Sequence, residues 1–204
     1  MACVSEAIGL ALPYSAGTPA PYEKRDKYAV ESGKMVMNLL RKKIRPRDIV
    51  TKKSLENAAA IVAATGGSTN AALHLPAIAN EIGIKFDLMD VARIFRKTPY
   101  LANLKPGGLY VAKDLWKAGG IPMLLKTMLD GGYIHGDCLT VTGKTMRENL
   151  KNVKFNFFNP AIFTIAPWGD KFPLRPTTPP SFERGFLWFL ITFCLLLMLQ
   201  GRMA

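Results

Sequence analysis

Residues 54–83 read SLENAAAIVAATGGSTNAALHLPAIANEIG, and the fold is decided there. Alanine is the strongest helix former, so residues 55–64 predict a helix, with Ser54 as N-cap and Asn57 where a capping-box glutamate would stand. Gly66 and Gly67 stop it. Ser68 or Thr69 then caps a second helix, which carries Ala71, Leu73, Leu75, Ile78 and Ile82 at helical spacing. Pro76 falls inside that helix and predicts a kink, and Gly83 closes the unit.

The same punctuation extends outward in both directions. Residues 2–10 have helical spacing that should run to about Leu12, after which Pro13, Gly17, Pro19 and Pro21 enforce a loop. Residues 28–43 alternate apolar and charged positions with a helical period, which directs Val30, Met37 and Leu40 towards a core and the lysines outward; Pro46 closes the segment. Asp87 caps a helix through Lys97, and a Lys105-Pro106-Gly107-Gly108 turn precedes the short apolar run 109–111. Gly119 and Gly120 separate two further helices, Pro122 suits the first turn of the second, and Gly131 and Gly132 suit its end. Residues 139–142 are β-branched and predict a strand. The pattern through Leu150 predicts a helix-rich α/β domain.

Beyond Phe155 the composition changes. Pro160, Pro167, Pro173, Pro176, Pro179 and Pro180 interrupt every period, and residues 186–199 are almost wholly apolar. This places a boundary between a domain at 1–154 and, at 155–204, a Pro-rich linker with an irregular tail and a short apolar C-terminal helix. That helix would span about 21 Å, short of the roughly 30 Å of hydrocarbon a crossing requires, so a membrane anchor through 186–199 is marginal. At the other end Met1 runs straight into residues typical of a helix interior, with no secretory pattern, so the chain is expected to begin mid-domain.

The formal charge of +12 admits nucleic acid, anionic lipid and acidic metabolites as partners. The densest basic stretch, Arg41 to Lys53, contains few aromatics on which bases could stack, which argues against nucleic acid and for a solvated helix end. Cys3, Cys138 and Cys194 are far apart, so neither a zinc ribbon nor a disulfide framework follows, and a reducing, cytoplasmic compartment is expected.

Among the motifs, Thr65-Gly66-Gly67-Ser68-Thr69-Asn70 is the most informative. Two glycines let backbone amides approach a ligand while Ser68, Thr69 and Asn70 offer side chains at a helix start, an arrangement that suits an anion. From spacing alone a tight helix-to-helix turn with ordinary caps is the commoner reading, since Gly-Gly-Ser-Thr is common in turns. Gly143-Lys144-Thr145 lacks the upstream glycine of a phosphate-binding loop, since Cys138 stands there, and reads as a strand, a turn and a helix start. His135, Asp137 and Cys138 could ligate a metal or activate a thiolate, though adjacency in sequence is weak support for either. His74, between Leu73 and Leu75, reads as a packed helix residue satisfied by a carbonyl.

Five blocks in order carry a resemblance: Leu12-Pro13-Tyr14-Ser15 with Thr18-Pro19-Ala20; Thr65 through Ala71 with Leu73-His74-Leu75; Lys105-Pro106-Gly107-Gly108; Ala118-Gly119-Gly120-Ile121-Pro122; and Leu139-Thr140-Val141-Thr142-Gly143-Lys144-Thr145. Over about three quarters of the chain they resemble the dihydroxy-acid dehydratases, whose relatives include the phosphogluconate and sugar-acid dehydratases. The resemblance implies elimination of water from a 2,3-dihydroxy-3-methyl acid to a 2-keto acid in branched-chain amino-acid biosynthesis. It also implies an iron-sulfur cluster as Lewis acid, a magnesium ion, a serine base and a homodimer, with residence in the cytoplasm or, in a eukaryote, the organellar matrix or stroma.

In such enzymes the cluster cysteines and most magnesium ligands lie upstream of the residue matching Met1, and the serine lies in a C-terminal barrel. Cys3 falls on none of the cluster positions. The expectation is therefore an incomplete piece, with neither metal group fully ligated and no catalytic residue of its own. Only the turn at Gly66, Gly67, Ser68, Thr69 and Asn70 carries over, as part of the active-site vicinity. A phosphogluconate or sugar-acid dehydratase piece, or a membrane-associated non-catalytic module, are the alternatives.

Overall fold

The computed structural model describes residues 1–66, 68–105 and 109–153. Their helices, in chain order, are α1 (Ala2–Ile8), α2 (Lys24–Arg41), α3 (Pro46–Ile49), α4 (Lys52–Ala64), α5 (Thr69–Glu81), α6 (Leu88–Lys97), α7 (Ala112–Lys117), α8 (Gly120–Asp130) and α9 (Met146–Leu150). The pattern of helices separated by glycine stops is the one the sequence predicts.

Helix α4 is the hub. Leu55, Ala58, Ala59, Ala60, Ile61, Val62 and Ala64 are all buried, so the helix is enclosed on nearly every side. Three consecutive alanines keep it thin, which lets α1, α5 and α6 all pack on it. Helix α5 presents Ala71, Leu75 and Ala79 to this core at i, i+4 and i+8, and it continues as one helix through Pro76. On the far side of α1, helix α8 buries Ile121, Met123, Leu124, Leu125 and Met128 and holds α7 and α9.

The cap at Asp87 follows the sequence and the cap of α4 does not. Asp87 Oδ1 accepts the Met89 and Asp90 amides, as expected, and Thr145 Oγ1 accepts the Glu148 amide. The cap of α4 is Thr51, not Ser54: the Ser54 amide donates to Thr51 Oγ1 while the Thr51 amide donates to Ser54 Oγ. Helix α1 stops at Ile8, short of Leu12, because Gly9 turns left-handed (φ 93°) and sends its amide back to the Glu6 carbonyl. A Cβ at Gly9 would lie 3.0 Å from the Leu139 carbonyl oxygen, so only glycine allows this approach.

The α/β expectation is corrected to a helical architecture, since among the described residues no strand forms. Two isolated bridges stand in place of a sheet, Leu104 with Tyr110 and Leu139 with Thr145. The β-branched run 139–142 becomes a turn tied by its own side chains: Thr140 Oγ1 donates to the Lys144 carbonyl and receives the Asn149 amide. β-branched residues make a strand only when a neighbouring strand offers partners, and none does so here. The predicted tail and apolar C-terminal helix at 155–204 lie outside the described residues.

Two placements of side chains are also corrected. Val30, Met37 and Leu40 of α2 are exposed, and the half-buried residues are Tyr28, Met35 and Leu39 on the opposite face. His74 is exposed rather than packed.

Loop 12–18 is fastened by a buried carboxylate. Glu6 Oε1 accepts the Ala16 and Gly17 amides at 3.0 and 3.3 Å, and Oε2 accepts the Tyr14 amide at 3.0 Å. Thr18 Oγ1 donates to the Tyr14 carbonyl and receives the Trp116 Nε1 hydrogen, while Lys24 sits over the Trp116 ring. Burial pushes the Glu6 carboxyl up to about 7, against the opposing pull of its three amide donors.

Two outcomes are expected. Enlarging Ala59, which has no exposed surface, to leucine should lower stability in urea by about 1–3 kcal/mol through overpacking. Because the Glu6 carboxyl titrates higher folded than unfolded, its contribution is fully present below about pH 4.5 and is lost as pH rises to about 7. Glu6→Gln should therefore flatten stability across that window by on the order of 3 kcal/mol, measured by denaturation at a series of pH values.

Candidate functional site

The turn after α4 is built around one carbonyl and one ring. The Ala64 carbonyl accepts the amides of both Leu101 and Ala102 at 2.9 Å, which draws the segment before the Lys105 turn against the end of α4. Thr65 closes the helix with its hydroxyl on the Ile61 carbonyl. Gly66 then adopts φ 95°, and a Cβ there would lie 3.3 Å from the Tyr100 ring and 3.8 Å from the Leu104 carbonyl oxygen. Glycine is required twice, for the left-handed backbone and for the nearness of the ring.

Ser68 is the N-cap residue of α5 and its side chain makes no capping bond. Thr69 is half-buried and Asn70 is exposed in the first turn. A helix of this length carries a partial positive charge at its start, so the cap suits a carboxylate or another anion. Gly67 lies outside the described residues.

Two sequence blocks roughly 40 positions apart thus become neighbours, since Tyr100 and Leu104 contact Gly66 while the Lys105 amide donates to the Tyr110 carbonyl beside them. Nothing local in the sequence indicates the Tyr100 contact.

The triplet of His135, Asp137 and Cys138 does not converge on a common point. His135 Nε2 lies 2.6 Å from Glu56 Oε2, and the His135 backbone is held from both sides by the Asn57 amide. Asp137 pairs with Lys53. Cys138 is buried, with Asn57 Nδ2 3.7 Å from its sulfur, and burial followed by the Asp137 charge pushes its thiol up, the opposite of activation. The cluster fastens loop 133–138 to α4.

The residues described do not fit an iron-sulfur cluster or a magnesium ion. Among them no group of three or more His, Cys, Asp or Glu side chains comes together. Among the described residues no helix is long and apolar enough to cross a membrane, and residues 186–199 lie outside them.

Comparison with known proteins fixes the family. Residues 1–149 match the family described as dihydroxy-acid/6-phosphogluconate dehydratase N-terminal. The chain is 86% identical over 156 residues to a dihydroxy-acid dehydratase of Pelagibacter ubique, covering 76% of this chain and 27% of that protein. It is 67% identical over 177 residues to the dihydroxy-acid dehydratase of Parvibaculum lavamentivorans, covering 87% of this chain and 30% of that one. Against dihydroxy-acid dehydratase 2 of Bradyrhizobium diazoefficiens the identity is 72% over 156 residues, or 76% and 27% of the two chains. The chain thus spans under a third of the length of these relatives. With a family match across most of its length and these identities, the chain belongs to the dihydroxy-acid/6-phosphogluconate dehydratase family, within its N-terminal region.

Proposed function

We propose that this chain is part of a dihydroxy-acid dehydratase and has no turnover alone. The intact enzyme would eliminate water from 2,3-dihydroxy-3-methyl acids to give the 2-keto acids of branched-chain amino-acid biosynthesis. The observation that carries this reading is the 86% identity to a protein named for that activity. It favours a branched-chain substrate over a phosphogluconate or sugar acid.

On this reading the turn at Gly66, Gly67, Ser68, Thr69 and Asn70 borders the active site. Its chemistry is binding rather than bond-breaking: the uncapped start of α5 and the Ser68 hydroxyl would receive the substrate carboxylate. The iron-sulfur cluster and magnesium ion that such an enzyme uses would be held by residues other than those described. The domain division at 154, the tail at 155–204 as a segment foreign to the family, the cytoplasm as location (matrix or stroma in a eukaryote) and a homodimeric intact enzyme belong to the same proposal. No nucleic-acid partner is part of it.

The test is to purify the chain anaerobically with iron and sulfide and to record its visible absorbance and its turnover of dihydroxyisovalerate, beside the Pelagibacter ubique enzyme. The relative should turn over substrate and the chain should not. A stoichiometric cluster with turnover in the chain would overturn the reading.

A further inference from the structure

Helix α2 carries two apolar faces, and among the described residues only one is even half-buried. Tyr28, Met35 and Leu39 are half-buried and face the body. On the opposite side Val30, Gly33, Met37 and Leu40 follow a three-four-three spacing within an arc of about 80° at 3.6 residues per turn. Val30 is 60% exposed and Leu40 66%, and α2 as a whole buries no residue. This is the spacing of a helix seam that meets another element, not of a solvated face.

Gly33 sharpens the point. Glycine is a much poorer helix former than alanine in a helix interior. A Cβ at Gly33 would meet nothing within 4 Å, so no contact made inside the described chain explains its absence. A missing side chain in the middle of an apolar seam lets an outside backbone come close.

The rim of the seam selects the occupant. Lys27, Lys34 and Arg41 recur every seven residues along one edge; Glu31 stands one turn from both lysines on the side away from the seam, Asp26 lies one turn before Val30 at the seam's start, and among the described residues none of the three cations forms an ion pair. Two copies of α2 packed antiparallel would set these cations against their own equivalents. Packed parallel, they would face Ala29 and Val36, which offer no carboxylate. A second copy is therefore disfavoured, and an apolar segment bordered by Asp or Glu is favoured. Such a segment has an available source: the named relatives are more than three times as long as the stretch matched here, and a piece of a longer chain exposes the faces its remainder covers.

We propose that the Val30, Gly33, Met37 and Leu40 face of α2 is the docking surface for a carboxylate-bordered amphipathic helix from the part of the dehydratase polypeptide that this chain does not match. The proposal rests on family membership and not on the assigned reaction, so loss of the activity reading leaves it standing. Its chemistry is burial of a seam plus a row of surface ion pairs, and the second component makes it sensitive to salt.

The probe is a fluorescein-labelled helical peptide of about 21 residues, six turns, with Leu at the seam positions and Glu along both borders, and a control peptide with Lys there. Anisotropy titration with the full 204-residue chain should show the Glu peptide binding about tenfold tighter than the Lys peptide, equivalent to ~1.4 kcal/mol. The intact Pelagibacter ubique enzyme should bind neither, because its own polypeptide covers the face. Leu40→Asp should remove binding with helical circular dichroism unchanged, and the double variant K27E/K34E should reverse the preference. Three results would each sink the proposal: equal affinity for both peptides or none for either, a concentration-dependent dimer of the chain that Leu40→Asp abolishes, or peptide binding by the intact relative as tight as by the chain.

Discussion

Enclosure of α4 is the constraint from which the remaining positions follow. A helix can be surrounded by α1, α5 and α6 at once only if its own side chains are short, and Ala58, Ala59 and Ala60 provide that at consecutive positions. Its polar residues serve the same end. Asn57 is fully buried yet satisfied, since its amide and carbonyl hold the backbone of His135 from both sides. Leaving such a group unpaired would cost about 1–3 kcal/mol, so these two bonds tie the loop 133–138 to the hub. At its far end the Ala64 carbonyl gathers Leu101 and Ala102, and the turn at Gly66 inherits its position from that bond.

What the sequence discloses is what local chemistry determines. The stops at Gly66, Gly83 and Gly119 and the cap at Asp87 involve residues within about four positions of one another, and the order of amino acids alone makes all of them legible. Ser54 and Asn57 mislead because their partners are of a different kind: Ser54 answers a cap three residues earlier, and Asn57 reaches a backbone 78 positions away. The strand at 139–142 fails for the same reason, since a β-branched run does not state whether a neighbouring strand exists. On α2 the period is right and the face is wrong, because two apolar stripes share one helix and periodicity does not rank them.

The candidate site divides along the same line. Paired glycines before Ser68, Thr69 and Asn70 mark the turn in the sequence, while Tyr100, which presses on Gly66, gives no sign of its role. Glu6 is equally hidden. A single carboxylate in a seven-residue helix looks like a solvated position, and only the arrangement of loop 12–18 around it turns it into an anchor for three amides.

The distribution of charge then connects the interior to the surface. Glu6 serves backbone amides; Asp87, Asp90, Asp114 and Glu148 serve helix starts; Asp48, Asp130 and Asp137 pair with Arg45, Lys126 and Lys53; Glu56 meets His135. Carboxylates so engaged are poor candidates to gather around a hard cation, which asks for several oxygen ligands at one point. On α2, by contrast, Glu23 and Glu31 stand one turn either side of Lys27, and Glu31 one turn before Lys34, yet among the described residues none of these groups forms an ion pair.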